Sequence, residues 1–151
     1  MGWLARLLGT GATRDLLADL TEDYRAEAEQ ALHLRAYAER ARYPQAADAL
    51  RRLAEMEDRH AAWLRDHVSS LGGQVPGVEP KPLSGANQWQ RAVAALQGAQ
   101  AKRRRLIEQI AHWDPDEPGV VDLLRRIEQE DAREQEVYEG LIMRSDPQAL
   151  D

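Results

Sequence analysis

Residues 53–64 read LAEMEDRHAAWL. Leu53 and Leu64 are apolar, and between them the same helical face carries Glu57 and His60, three residues apart. Positions i and i+3 share a face of an α-helix, so one carboxylate and one imidazole project from its buried side. The surrounding stripe is Ala46, Leu50, Leu53, Glu57, His60, Leu64, Val68 and Leu71. It predicts a helix over residues 44–71. Pro44 suits its first turn, and Gly72 with Gly73 is a usual stop.

Outward from this helix the same period recurs, carried by Ala, Leu, Arg, Glu and Gln, which favour helix. A first long helix is predicted over residues 14–42, with Leu16 or Leu17, Leu20, Tyr24, Glu27, Ala31, Leu34, Ala38 and Ala41 on its stripe. A third begins at a Ser84 cap and ends near Trp113, with Trp89, Val93, Leu96, Gln100, Arg103, Ile107 and Ile110 facing inward. A fourth is opened by Asp116 and Pro118 and runs to Arg144, with Val120, Leu124, Ile127, Asp131, Glu134, Tyr138 and Leu141 inward. Residues 1–13 form a short amphipathic N-terminal helix, 14–144 the four-helix bundle, and 145–151 a tail. The expected architecture is therefore all-α.

Connection lengths carry the topology. Short loops make the first and second helices, and the third and fourth, antiparallel hairpins. Residues 72–83, GGQVPGVEPKPL, form a proline-stiffened linker. Extended at about 3.1 Å per residue it reaches about 40 Å, the length of a helix of about 27 residues. It can cross the whole bundle, leaving the second and third helices parallel in direction.

Composition bounds the chemistry. The chain has 151 residues and a formal net charge of −6, which argues against nucleic-acid binding. Cys 0 removes disulfides, thiolate catalysis and every thiolate metal site. No segment is long and apolar enough to span a membrane. The N-terminal MGWLARLLG is too short for a secretory signal, so the expected location is cytoplasmic. Trp3, Leu7 and Trp89 or Trp113 predict a homodimer or larger oligomer. Lys102, Arg103, Arg104 and Arg105 read as a basic cluster, with three of the four facing solvent.

The stripes are broken by polar residues at matching depth: Glu27; Glu57 and His60; Gln100 and Arg103; Asp131 and Glu134, with Glu130 close by. Buried carboxylates facing one another repel unless protons or a cation intervene. A divalent ion supplies that charge, and oxygen with nitrogen donors suits iron, manganese or zinc. His33, His67 and His112 miss this layer. Tyr24 and Tyr138 are core residues that can also neighbour it.

These segments, LAEMEDRHAAWL followed by LGG, Glu27, and RIEQEDAREQEVYEGL over residues 126–141, resemble the rubrerythrin-like branch of the ferritin-like superfamily. The resemblance implies a four-helix bundle with one long crossover between the second and third helices. In that family each half supplies one Glu and one E-x-x-H to a di-iron or related non-haem centre. Carried over, the metal ligands are Glu27, Glu57, His60, Gln100, Asp131 and Glu134. The first half is complete. In the second, Gln100 stands for Glu, and Asp131 and Glu134 stand for Glu and His. Haem is disfavoured because residue 58 is Asp rather than Met. The implied activity is Fe(II) oxidation or peroxide reduction with an external electron donor; the alternative is a metal-free bundle acting as an interaction module. An asymmetric layer is expected, with the stronger metal position at Glu27, Glu57 and His60. Arg103 adds positive charge to the weaker side, or replaces a metal there.

Overall fold

The computed structural model describes residues 11–149, with side chains from Leu16 onward. It contains four long helices: α1 (Gly11–Arg40), α2 (Pro44–Ser70), α3 (Gln88–Trp113) and α4 (Pro118–Arg144). No strand occurs among the described residues. The segment expected to form a short N-terminal helix, with Trp3 and Leu7, lies outside the described residues. α1 packs along α2, α3 along α4, and α2 also touches α4.

The linker crosses the bundle end to end. Gly73 approaches Leu17 near the start of α1, and Val75 packs on the apolar cluster at that end. Lys81 reaches Glu29 at 2.8 Å midway along α1, and Leu83 packs on the cluster at the other end. There Tyr37 Oη donates to the Gln88 carbonyl at 3.4 Å, so α3 starts beside the end of α1. Trp113 Nε1 donates to Asp19 Oδ2 at 3.0 Å, which sets the opposite ends together. α2 and α3 therefore run in the same direction, as the length of the linker predicts.

Two apolar clusters fill the bundle. Leu34, Leu50, Leu53, Ala95 and Tyr138 belong to one, and Leu20, Leu64, Leu106, Leu124 and Ile127 to the other. Between them lies a layer of charged side chains. Along every helix the chain passes from one cluster through that layer into the other. Close-packed apolar side chains on both sides hold the charged groups away from water.

α3 differs from its expected form in two respects. It begins at Gln88 rather than at Ser84. Its cap is Asn87, whose side-chain oxygen accepts from Gln90 N at 2.8 Å and whose amide donates to Pro147 O at 3.0 Å. Its buried face is Arg91, Ala92, Ala95, Ala99, Lys102, Leu106, Gln109 and Trp113. The stripe expected through Gln100 and Arg103 is displaced by one residue, about 100° of rotation. Small alanines rather than the bulkier Val93, Leu96 and Ile107 face the centre, and Ile107 is left 48% exposed. Trp113, expected to help form an intermolecular interface, is spent inside the bundle at 6% exposure.

The start of α3 depends on Gly85, which has φ +109°, where L side chains are strained. A Cβ there would lie 2.7 Å from Arg91 N and 2.8 Å from Gln90 C. Gly85→Ala is expected to cost about 1–3 kcal/mol in urea unfolding. Gly77→Ala, where a Cβ meets open space, is the control and should change stability by less than about 0.5 kcal/mol.

Candidate metal centre

Six side chains from four helices meet in the charged layer. α1 contributes Glu27, α2 Glu57 and His60, α3 Lys102, and α4 Asp131 and Glu134; all are buried. The i,i+3 spacing on α2 and on α4 turns both members of each pair inward. Lys102 Nζ lies 3.2 Å from Glu27 Oε2, 3.2 Å from Glu57 Oε1 and 3.0 Å from Glu134 Oε2, donating to each. Asp131 Oδ2 is a charge contact at 3.2 Å. An ammonium thus sits among four carboxylates.

Of the six expected ligands, five meet here: Glu27, Glu57, His60, Asp131 and Glu134. Gln100 does not. It lies on the exposed face of α3, turned out by the one-residue displacement, and Lys102 takes the inward position. Arg103 is also outside, with its Nε 2.7 Å from Glu128 Oε1. The positive charge beside the layer belongs to Lys102, which the basic cluster concealed. Arg104 is exposed, and Arg105 is half-buried beside Asp23.

His60 is held at both nitrogens. Nε2 lies 2.8 Å from Glu130 Oε2, and Arg126 Nε approaches the other oxygen of Glu130 at 3.4 Å. Nδ1 faces Asp131 Oδ1 at 3.4 Å, Glu57 Oε2 at 3.5 Å and Glu27 Oε2 at 3.7 Å. A carboxylate behind one ring nitrogen, with the other aimed at acidic groups, is how metal-binding imidazoles are oriented. Glu134 is braced similarly: Gln30 Nε2 donates to its Oε1 at 2.7 Å and Tyr138 Oη at 2.9 Å. Tyr138 therefore neighbours the layer, as its position predicts, whereas Gln30 gave no periodic signal.

Proton affinities follow from crowding. Burial opposes the charged form of Lys102, but Glu27, Glu134, Glu57 and Asp131 outweigh it and hold the ammonium well above the ordinary lysine value. Burial likewise lowers the affinity of His60, yet the acidic groups of Asp131, Glu27 and Glu57 facing its ring push it up to about 12. Burial, then the charge of Glu27, raises Glu57 well above the carboxylate range. Glu27 moves the other way: burial pushes it up, but Lys102 and the bonds from Glu57 and His60 bring it below.

The donor atoms suit one cation. One ligand atom each from Glu27, Glu57, His60 and Asp131 lie within 4.8 Å of one another. Glu27 Oε1, His60 Nδ1 and both Asp131 oxygens are buried without a hydrogen-bond partner. Buried polar atoms are rarely left so. A divalent ion at about 2.0–2.2 Å from oxygen and nitrogen would satisfy them. The second half, Lys102, Asp131 and Glu134, offers an ammonium where a ligand would be required.

A groove of about 400 Å³ opens between α1 and α3, walled by His33, Lys81, Gly98 and Arg105, with Lys102 and Glu134 at its floor. Glu27, Glu57, His60 and Asp131 do not line it.

Comparison with known proteins places the chain in a family. The Rubrerythrin family profile matches residues 20–146, and the chain belongs to that family. A bacterioferritin from Desulfovibrio desulfuricans, described with a diiron site, superposes with a TM-score of 0.76 at 17% identity, covering 87% of this chain and 80% of that one. An open-pore ferritin from the archaeon Archaeoglobus fulgidus gives 0.71 at 16% identity, covering 85% and 82%. No curated protein matches the sequence. The ferritin-like bundle is thereby shown, and its carboxylate and histidine set is of the kind that holds iron. Among the described residues, no helix is long and apolar enough to cross a membrane.

One turn along α1, Asp23 is buried beside Arg105 Nε at 3.2 Å and Gln109 Nε2 at 3.1 Å. Burial raises it from 3.8 to about 7, against the pull of Arg105 and Gln109. Its native pKa exceeds its unfolded one, so within this window the folded state holds a proton that the unfolded chain has lost. Its contribution to stability therefore falls as pH rises between those values. Asp23→Asn is expected to remove the slope, about 1.4 kcal/mol per pH unit at its steepest. Urea unfolding of both proteins near about pH 5 and about pH 6 checks this; parallel changes would contradict it.

Proposed function

We propose that this chain is a non-haem iron protein that takes Fe(II) at Glu27, Glu57, His60 and Asp131 and holds it for oxidation. The observation that carries this reading is the set of buried donor atoms without a hydrogen-bond partner on Glu27, His60 and Asp131, residues from three helices that, with Glu57, bring one ligand atom each within 4.8 Å of one another. Bound iron would supply a one-electron Fe(II)/Fe(III) couple and coordination positions for an oxidant. The residues do the rest. Glu57 and Asp131 place carboxylates between the two halves of the layer. Glu130 keeps His60 Nδ1 turned inward. The proton on the His60 ring must leave when a metal arrives, so binding is favoured as pH rises.

Fe(II) oxidation needs only an oxidant, which peroxide can be, whereas repeated peroxide reduction at a resident iron also needs an outside electron donor to return the iron to Fe(II). The same reading takes the protein to be cytoplasmic and a homo-oligomer. Ile107 and Met143, 48% and 86% exposed, are candidate apolar contacts, and light scattering tests the assembly.

Metal analysis of protein purified and then loaded anaerobically with Fe(II) tests the site. Bound iron is expected in the wild type, with loss of at least about tenfold in affinity in Glu57→Ala and in His60→Ala, the scale of a lost ligand or its support. Undiminished binding in both would sink the site. No iron in the wild type would favour the metal-free interaction module.

A further inference from the structure

The two halves of the layer correspond residue by residue. Glu27 on α1 faces the pair Glu57 and His60 on α2; Lys102 on α3 faces the pair Asp131 and Glu134 on α4. Where the first half has the carboxylate of Glu27, the second has the ammonium of Lys102. That ammonium does not turn aside. It lies 3.0 Å from Glu134 and 3.2 Å from Glu57 and Asp131, the carboxylates that a second ion would need. Its stem is buried at 8% exposure, on the alanine face of α3.

We propose that Lys102 is a resident cation: its ammonium occupies the second half of the site in place of a second metal ion, limiting the chain to one metal and neutralising the layer when that metal is absent. The first clause rests on the iron reading above; the neutralising role does not. Lysine suits this role because its charge is compact and sits on a flexible four-carbon stem, so it can enter a ring of carboxylates that a planar guanidinium would not fit. It carries three donors, and three carboxylates accept from them. A mobile ion can be stripped by a chelator; a tethered one cannot. Removing it would leave Glu27, Glu57, Asp131 and Glu134 facing one another with only the His60 ring to offset them, which is strongly destabilising for buried charge.

The experiment measures Mn(II) stoichiometry and thermal stability in the full chain. The wild type is expected to bind one equivalent and to keep its Tm in chelator. Lys102→Glu is expected to bind two, and its Tm to become metal-dependent. Lys102→Met is expected to lose roughly 10 °C or more without metal, and to recover more with Mn(II) than the wild type gains. Two equivalents in the wild type, or one in both the wild type and Lys102→Glu, would overturn the proposal while leaving the iron reading intact. None in the wild type but binding in Lys102→Glu would sink the iron reading and keep the resident cation. None in either, with an unchanged Tm in Lys102→Met, would overturn both. If Lys102→Glu does not fold, Lys102→Met decides: a Tm equal to that of the wild type in chelator overturns the neutralising role.

Discussion

The bundle is organised around the attraction between one buried ammonium and four buried carboxylates. Each helix contributes at least one partner to it: Glu27, Glu57, Lys102, and Asp131 with Glu134. Gln30 with Glu134, His60 with Glu130, and Asp23 with Arg105 and Gln109 add further ties between the two helix pairs. The Lys102 contacts, together with those of Gln109 to Asp23, hold one face of α3 inward. The alanines at 92, 95 and 99 follow from that choice, because only small side chains let α3 approach closely enough for the lysine to reach the centre.

The layer survives in a low-dielectric interior because nearly every charge has an opposite neighbour and the apolar clusters exclude competing water. The balance is incomplete. Four carboxylates meet one ammonium and one imidazole ring, and Glu57, raised first by burial and then by the charge of Glu27, has the higher proton affinity that results. The same imbalance makes the Glu27, His60 and Asp131 side attractive to a cation. On the iron reading, structure and metal affinity would draw on the same electrostatic deficit.

Much of this could be read from the amino-acid order. On α4 the apolar period isolates Asp131 and Glu134 without ambiguity, since Val120, Leu124, Ile127, Tyr138 and Leu141 are all buried. The α2 pair stands out for the same reason. On α3 the rule that large apolar residues point inward chose the face of Val93, Leu96 and Ile107 and brought Gln100 and Arg103 with it. The true face is alanine-rich and carries a lysine, a residue rarely buried without partners. Its partners lie on three other helices, beyond the reach of any local pattern. Asp23 escaped notice because Tyr24 fitted the stripe better; Glu130 is legible as a neighbour of the layer, but its hold on His60 is a contact between two helices that no local pattern carries.

The identity of residue 102 also has a genetic meaning. Lysine codons AAA and AAG become glutamate codons GAA and GAG by a change of the first base alone. A site held by a covalently attached cation and one lined by a further carboxylate are therefore immediate neighbours in sequence space. The surrounding braces, Gln30 and Tyr138 on Glu134 and Glu130 on His60, need not change for a lineage to pass between them. If Lys102 is the resident cation proposed above, that single base change would exchange a charge carried by the chain for one that the surroundings must supply.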